Sequence, residues 1–353
     1  MKTSSERWKS FSCIIIVILL KGVVVLKIRE HHPPKKLLQA LSLEERFPTH
    51  HPLYPLILKT LRREKSGFSG EKKIDFYLHR LQFPYVGLHS VRLAQNQVHF
   101  QVDTLMITPT FITLVEIKNH SGTIRFHSGK MHQDYNGTTE SYDDPITQVN
   151  EQKELLRAWL DERGYTDYPL ETLVVMGNSN SHLQIDPSQI HHLDRVIPIN
   201  LFNEKMRELN EKYDRKRILL SECHRLGKLI DSHCVMNETC LLEALSIPPS
   251  QIIKGVRCPE CNRISMKRIK LRWECSFCKA RTHTAQINTF KDMYLLYGPT
   301  FNNKSVCEFF DIDSNDFAYY LIKSMNFKKL GRGKGSIYHM RFDRTKEFTY
   351  LLK

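Results

Sequence analysis

Apolar and polar positions are patterned most clearly between Gln97 and Lys118. Val, Ile, Thr and Phe dominate that stretch, and a Thr-Pro-Thr break at 108–110 divides it into two arms. This predicts two paired β-strands. From Pro145 to Arg163 the period changes. Ile146, Val149, Leu156, Trp159 and Leu160 recur at helical spacing behind a proline in the first turn, which predicts an amphipathic helix. Leu56 to Leu81 also reads as helical, with Gly67 to Gly70 as a break or cap before Glu71. Leu173–Met176 and Val196–Ile199 read as short apolar strands, and Asn200 as the cap of a helix running through Tyr213. Residues 31–55, rich in His and Pro, read as an irregular arm, and no internal repeat is visible. Strands alternating with helices indicate an α/β domain.

The predicted hairpin carries candidate chemistry. With its turn between Pro109 and Thr110, paired residue numbers sum to 219, and Asp103 faces Glu116. Directly opposed residues have Cβ atoms about 4.5–5.5 Å apart, where like charges destabilise the pair unless a cation lies between them. Lys118, two residues beyond Glu116, projects from the same face. Two carboxylates and a lysine on one face suit phosphodiester cleavage. The carboxylates would hold Mg²⁺ or Mn²⁺ through oxygen, and the lysine would orient a water or stabilise transition-state charge. A strand carrying scattered surface charges is the other reading.

Two further segments stand out. Cys258-Pro-Glu-Cys261 and Cys275-Ser-Phe-Cys278 are separated by thirteen residues. Two close thiolate pairs suit tetrahedral Zn²⁺ in a zinc ribbon, and four cysteines leave no open position for catalysis. Arg257, Arg263, Lys267, Arg268, Lys270, Arg272, Lys279 and Arg281 surround the pairs, with Trp273 and Phe277 interleaved. That mixture suits phosphate contact and base stacking; a folding staple or protein contact is the alternative. Further on, Lys304–Phe310 and Asn315–Met325 read as two helices about a capped turn at Asp311-Ile-Asp-Ser. The glycine-rich basic run Lys328, Lys329, Arg332, Lys334 then precedes a strand at Ile337–Met340. The order resembles a winged helix-turn-helix, whose second helix would enter the major groove. A small helical domain that binds protein is the other reading.

Charge sharpens this picture. The chain of 353 residues carries a net +14. From Gln251 to Lys353 there are 20 Lys and Arg against 9 Asp and Glu, a net of +11, so the C-terminal third holds most of the excess. Such a balance points to polyanions. Nine cysteines, five of them (Cys13, Cys223, Cys234, Cys240, Cys307) without regular spacing, suit a reducing compartment with one metal site.

Phe11 to Leu26 is an apolar run interrupted by Lys21. It is short against the roughly 20 apolar residues of a spanning helix. A membrane anchor, a buried strand and a translated stretch upstream of the true start are the three readings; the last two are favoured, and the anchor is disfavoured by Lys21.

The residues from Val102-Asp103 through Glu116-Ile-Lys118-Asn119 to Gly122 resemble the core of the nuclease-related domain (NERD) family. That family belongs to the restriction-endonuclease-like superfamily with its Asp…Glu-x-Lys motif. Gly70-Glu71 resembles the family's Gly-Glu opening, and Asp144-Pro-Ile-Thr-Gln148 resembles its Asn-Pro-x-x-Gln segment with Asp in place of Asn. The resemblance covers residues 65 to 180 or so. It implies a restriction-endonuclease-like mixed sheet flanked by helices, Asp103 and Glu116 as metal ligands, Lys118 as the catalytic lysine, and Glu71 and Gln148 as supports.

The sequence therefore divides into an N-terminal apolar segment and irregular arm (1–55), a nuclease-related domain (56–215), a helical linker (216–250), a zinc ribbon (251–290) and a winged-helix-like domain (291–353). The expected activity is Mg²⁺-dependent hydrolysis of DNA in preference to RNA, in the cytoplasm. The alternative is a nucleic-acid-binding protein whose nuclease-like fold has no turnover.

Overall fold

A computed structural model of the chain describes residues 16–20, 23–186 and 194–352, with side chains from Val25 onward except that of Lys334. Two compact units emerge. One combines the residues up to His31 with Ser69–Met236; the other combines His32–Phe68 with Asn237–Lys353.

The first unit is built on a mixed sheet of seven strands. These are β1 (Ile16–Leu20), β2 (Val23–Arg29), β3 (Tyr85–Gln95), β4 (Val98–Ile107), β5 (Ile112–Lys118), then, after the smaller strands β6 (Gly122–His127), β7 (Lys130–Tyr135) and β8 (Thr138–Asp143), β9 (Leu170–Met176), and, after β10 (Ser181–Ile185), β11 (Val196–Pro198). The order across the sheet is β1-β2-β3-β4-β5-β9-β11. β3, β4 and β5 form an antiparallel meander, whereas β2 joins β3, and β9 joins β5 and β11, in parallel. A second sheet, β10-β6-β7-β8, follows the end of β5.

Helices cover both faces of the large sheet. On one face, Leu105 and Leu114 pack with Leu156 and Trp159 of the helix Pro145–Asp161 and with Leu226 and Ile230 of the helix Leu220–His233. On the other, Met106 and Val115 pack with Ile74 and Leu78 of the helix Tyr54–Leu78 and with Phe202 and Met206 of the helix Phe202–Lys212. The period-2 alternation of β4 thus feeds two cores. Covering both faces explains why β5 reads as a continuous apolar run rather than an alternating one. Gly227 sets the closeness of one helix: a Cβ there would lie 2.4 Å from Ile28 Cδ1 and 2.9 Å from Val86 Cγ1.

In the second unit, the four-stranded sheet β12 (Val256–Arg257), β13 (Ile264–Ile269), β14 (Arg272–Cys275), β15 (Arg281–Thr282) carries the two cysteine pairs. The helix Ala285–Tyr297 follows, then β16 (Thr300–Phe301), the helices Asn303–Phe310 and Asn315–Ser324, β17 (Lys328–Leu330) and β18 (Ile337–His339), with strand order β16-β18-β17. Beneath them the buried carboxylate of Asp292 takes Nε of both Arg46 and Arg257 at 2.7 Å.

Several expectations are corrected. Gly67 to Gly70 does not break a helix, because Tyr54–Leu78 runs through it. Gly70 is instead required by packing, since a Cβ there would lie 2.5 Å from Asn119 Cβ. The arm expected over residues 31–55 contains the helix Lys35–Arg46, which buries Leu37, Leu38 and Leu41 despite its weak sequence signal. Asn200 caps no helix: it lies inside a 3₁₀ turn, Ile199–Leu201, and the following helix starts from Leu201 without a side-chain cap. β3, between the first helix and the predicted hairpin, was not foreseen. Of the apolar run Phe11–Leu26, positions 11–15, 21 and 22 lie outside the described residues. The remainder forms β1 and most of β2, paired antiparallel from Ile16↔Lys27 to Leu20↔Val23. Among the described residues, no helix is long and apolar enough to cross a membrane.

Candidate active site

The β4–β5 ladder runs Thr104↔Val115, Leu105↔Leu114, Met106↔Thr113 and Ile107↔Ile112, so every pair sums to 219. Thr108 closes the turn, taking the N–H of Phe111 on its hydroxyl at 3.0 Å. The next pair in that register would be Asp103 and Glu116. There the ladder ends, and the Asp103 carboxylate accepts the N–H of Ile117 at 2.9 Å. Asp103 and Glu116 therefore flank the splayed end of the hairpin.

Glu116 is 4% exposed, on a strand buried on both sides. A lone carboxylate there would be costly, and three side chains satisfy it. Lys118 Nζ donates to Oε1 at 2.7 Å, Gln148 Nε2 donates to the same oxygen at 2.9 Å, and Gln152 Nε2 lies 3.4 Å from Oε2. Lys118 Nζ also donates to Gln148 Oε1 at 3.0 Å, closing a ring of three residues. Gln148 and Gln152 stand one turn apart on the helix Pro145–Asp161. Asp144 fixes where that helix begins, its carboxylate accepting the N–H of Ile146 at 2.9 Å.

Burial is the main cause that drives the Asp103 carboxyl well above the usual carboxylate range. The negative charges of Glu116 and Glu71 push in the same direction, against the Ile117 bond and Lys118. Glu71 acts from the helix Tyr54–Leu78, whose end is held to β5 and β9 by Lys73 Nζ, 2.9 Å from Gly177 O and 3.3 Å from Asn119 Oδ1. Thus Glu71, Asp103, Glu116, Lys118 and Gln148 fall about one end of the central β4–β5 hairpin. Lys73 and Gln152 were missed. Gln152 had a legible signal, being four residues beyond Gln148 on the buried face of an amphipathic helix.

The donor set fits a hard divalent ion by chemistry: oxygen ligands, and carboxylates whose mutual repulsion a cation would relieve. Asp103, Glu116 and Glu71 do not form a preformed three-ligand nest, however. The groups with three or more ligand atoms within 4.8 Å of one another, among the described residues, are Cys258/Cys261/Cys275/Cys278 and His31/Asp75/His89.

The four cysteines sit in two like turns. In the first, Cys258 N donates to Arg263 O and Asn262 N to Cys258 O; in the second, Cys275 N donates to Ala280 O and Lys279 N to Cys275 O. Asn262 and Lys279 both take the left-handed conformation, each with φ 61°. The Sγ pairs Cys258–Cys278 and Cys261–Cys275 stand 3.6 and 3.7 Å apart, and all four thiols are free. This cluster could hold a tetrahedral zinc ion.

The basic residues around it divide. Arg263, Lys267, Lys270 and Arg272 are exposed, with Arg263 packed over the Phe277 ring at 3.5 Å. Arg268 is half-buried between the Trp273 and Phe317 rings. Two residues are not available for nucleic acid. Arg257 is fully buried in the Asp292 ion pair, and Trp273 is 2% exposed with Nε1 donating to Gln286 Oε1 at 3.0 Å. A buried carboxylate and a small core claimed them, which spacing along the chain does not reveal. Lys328, Lys329 and Arg332 are exposed about β17, and Tyr319 and Tyr320 are exposed on the helix Asn315–Ser324. The side chain of Lys334 lies outside the described set.

Residues 66–177 match the family described as "Nuclease-related domain". No curated protein matches the chain. Among solved structures the chain is similar to protein VC1899 from Vibrio cholerae, with a TM-score of 0.24, 12% identity and coverage of 52% of each chain. It thus spans about half the length of that chain.

Proposed function

From the premise that residues 66–177 are a nuclease-related domain, we propose that the protein is a metal-dependent nuclease that hydrolyses phosphodiester bonds in DNA. The observation that carries this reading is the bond from Lys118 Nζ to Glu116 Oε1 at 2.7 Å, beside the half-buried Asp103 on the same hairpin end. In the proposal Asp103 and Glu116 hold Mg²⁺ or Mn²⁺. When bound, the ion supplies charge neutralisation at the scissile phosphate and Lewis acidity toward water.

The chain's own residues do the rest. Gln148, bonded to both Lys118 and Glu116, keeps the ammonium on the carboxylate face. Lys118 donates hydrogen bonds to an attacking water or to the charge that develops on phosphate oxygen. Gln152 holds the second Glu116 oxygen and so fixes the carboxylate plane. In the second unit, the cysteine cluster holds a structural zinc. The helix Asn315–Ser324 and the basic residues Lys267, Lys270, Arg272, Lys328, Lys329 and Arg332 bind the duplex, as a winged helix-turn-helix would. Free thiols at every described cysteine agree with a cytoplasmic setting.

A second reading has its own support. Glu116 Oε1 is already taken by Lys118 and Gln148, and the three acids are not gathered into a ready-made nest. Those facts favour a binding protein with a nuclease-like domain and no turnover. Incubating the purified full-length protein with labelled DNA and RNA, with and without Mg²⁺ or Mn²⁺, separates the two. Metal-dependent cleavage of DNA is expected. Binding without cleavage of any substrate establishes the second reading instead.

A further inference from the structure

A second ligating cluster in the first unit has no part in the chemistry above. Asp75, on the helix Tyr54–Leu78, meets His89 of β3 and His31, just beyond β2. The Asp75 Oδ1 atom lies 3.3 Å from His89 Nε2 and 3.9 Å from His31 Nε2, and the two imidazole rings stack 3.7 Å apart, 23° from parallel, so that the His31 ring would turn about its side-chain bonds to share an ion in plane with His89. Each of the three residues offers a ligand atom within 4.8 Å of the others. A tetrahedral ion with ligands at about 2.0–2.1 Å sets neighbouring ligand atoms about 3.3 Å apart. The His89–Asp75 separation already has that value, and His31 is about half an ångström beyond it.

Hydrogen bonding gives the second observation. The His31 side chain is 2% exposed, yet neither of its ring nitrogens has a hydrogen-bond partner. His89 is 1% exposed; its Nδ1 meets Thr104 Oγ1 at 3.0 Å, while its Nε2 faces Asp75 Oδ1 at 3.3 Å. A buried polar atom left unmade is costly, so the two unbonded His31 nitrogens beside the Asp75–His89 pair call for an occupant. The Thr104 contact is the kind that orients a ligating imidazole from its far side. Lys27 Nζ stands 3.2 Å from Asp75 Oδ1. A carboxylate has about four lone-pair sites on two oxygens, so Asp75 can serve an ion and Lys27 together.

We infer that His31, Asp75 and His89 form a binding site for a divalent transition ion of the zinc class. Two imidazoles and one carboxylate suit such an ion and disfavour Mg²⁺ or Ca²⁺. The ion would join the end of β2, the helix and β3, leaving one coordination position for water. Asp103 and Glu116 are not among its ligands, so the site does not depend on nuclease activity.

Full-length protein is purified with zinc in the cysteine cluster, stripped of weakly held ions, and titrated with Co²⁺ as wild type and as Glu116→Gln. One further equivalent is expected in Glu116→Gln and at least one in wild type, with visible d–d absorption, no thiolate charge-transfer band, and two hyperfine-shifted imidazole N–H proton resonances. His31→Gln and His89→Gln should each weaken it at least tenfold, with circular dichroism confirming the fold. The inference is overturned if no second equivalent binds, if no shifted imidazole resonances appear, or if binding survives both histidine substitutions. It is likewise overturned if Glu116→Gln abolishes the second equivalent, which would assign the ion to the nuclease site. Should a histidine variant not fold, the wild-type resonances still decide. Cleavage plays no part in the readout, so this inference and the nuclease reading fail separately.

Discussion

Asp103 accepts the N–H of Ile117 at 2.9 Å, just past the last ladder pair, Thr104↔Val115. A side-chain carboxylate thus takes a backbone donor that the strand partner no longer reaches. The same bond fixes one oxygen of Asp103 and opens the hairpin end at which Glu116 and Lys118 stand. An open end on an otherwise regular hairpin follows from it, and the proposed metal site stands there.

The proposed chemistry separates three substitutions. Asp103→Asn and Glu116→Gln should weaken Mg²⁺ or Mn²⁺ binding, because each removes an anionic oxygen ligand. Lys118→Ala should leave metal affinity nearly intact and lower cleavage by about 10²-fold or more, as loss of a group that stabilises transition-state charge does. Calorimetric metal titration and single-turnover cleavage of labelled DNA measure the two effects. Wild-type cleavage rates in Lys118→Ala would remove the lysine from the mechanism.

Zinc should be present at the cysteine cluster, and Cys261→Ser should release it and loosen β12–β15. Elemental analysis of freshly isolated, reduced protein tests this. Protein without zinc, yet with the β12–β15 sheet intact by hydrogen exchange, contradicts the assignment.

DNA affinity should depend on the second unit. Replacing Lys328, Lys329 and Arg332 together with alanine should weaken binding across sequences. It should also reduce the slope of log K against log salt by about 0.9 for each DNA phosphate that is no longer neutralised. Lys118→Ala should leave binding largely unchanged, since most excess charge follows residue 250. A salt titration by fluorescence anisotropy reports both, and an unchanged slope in the triple variant would move the binding face elsewhere.

Stability of the second unit should hinge on Asp292. Burial alone would raise its carboxyl, but Arg257 and Arg46 outweigh that and hold it below the usual range. A depressed carboxylate contributes stability that is complete above its unfolded value, about 3.9, and is lost as pH falls through the folded value. The Asp292 contribution should therefore be complete at neutral pH and weaken only under strong acid. Arg46→Met, which breaks a buried pair, should cost about 3–5 kcal/mol. Denaturant unfolding of the zinc-loaded protein at neutral pH measures it, and a change under about 1 kcal/mol would show that Arg257 and the Tyr350 hydroxyl, 2.7 Å from Asp292 Oδ1, suffice alone.

Local chemistry in the chain was enough to specify the hairpin register, because the Thr-Pro-Thr turn sets it and one slip would turn every apolar residue outward. It specified the amphipathic helix that bears Gln148, through a proline start and a 3.6-residue period, and the two cysteine pairs, through spacing. Those are short-range signals. Tertiary structure decided what depends on residues far apart. The helix Lys35–Arg46 forms because a core from Leu241 to Leu351 covers its apolar face, although histidines and prolines precede it. Arg257 looks like a phosphate ligand beside Arg263, yet Asp292, 35 residues on, buries it. Likewise His31 and His89 are 58 positions apart. Only the parallel pairing of β2 with β3 brings them onto Asp75, since strand pairing between distant segments is set by the burial of whole faces and leaves no periodic trace at either histidine.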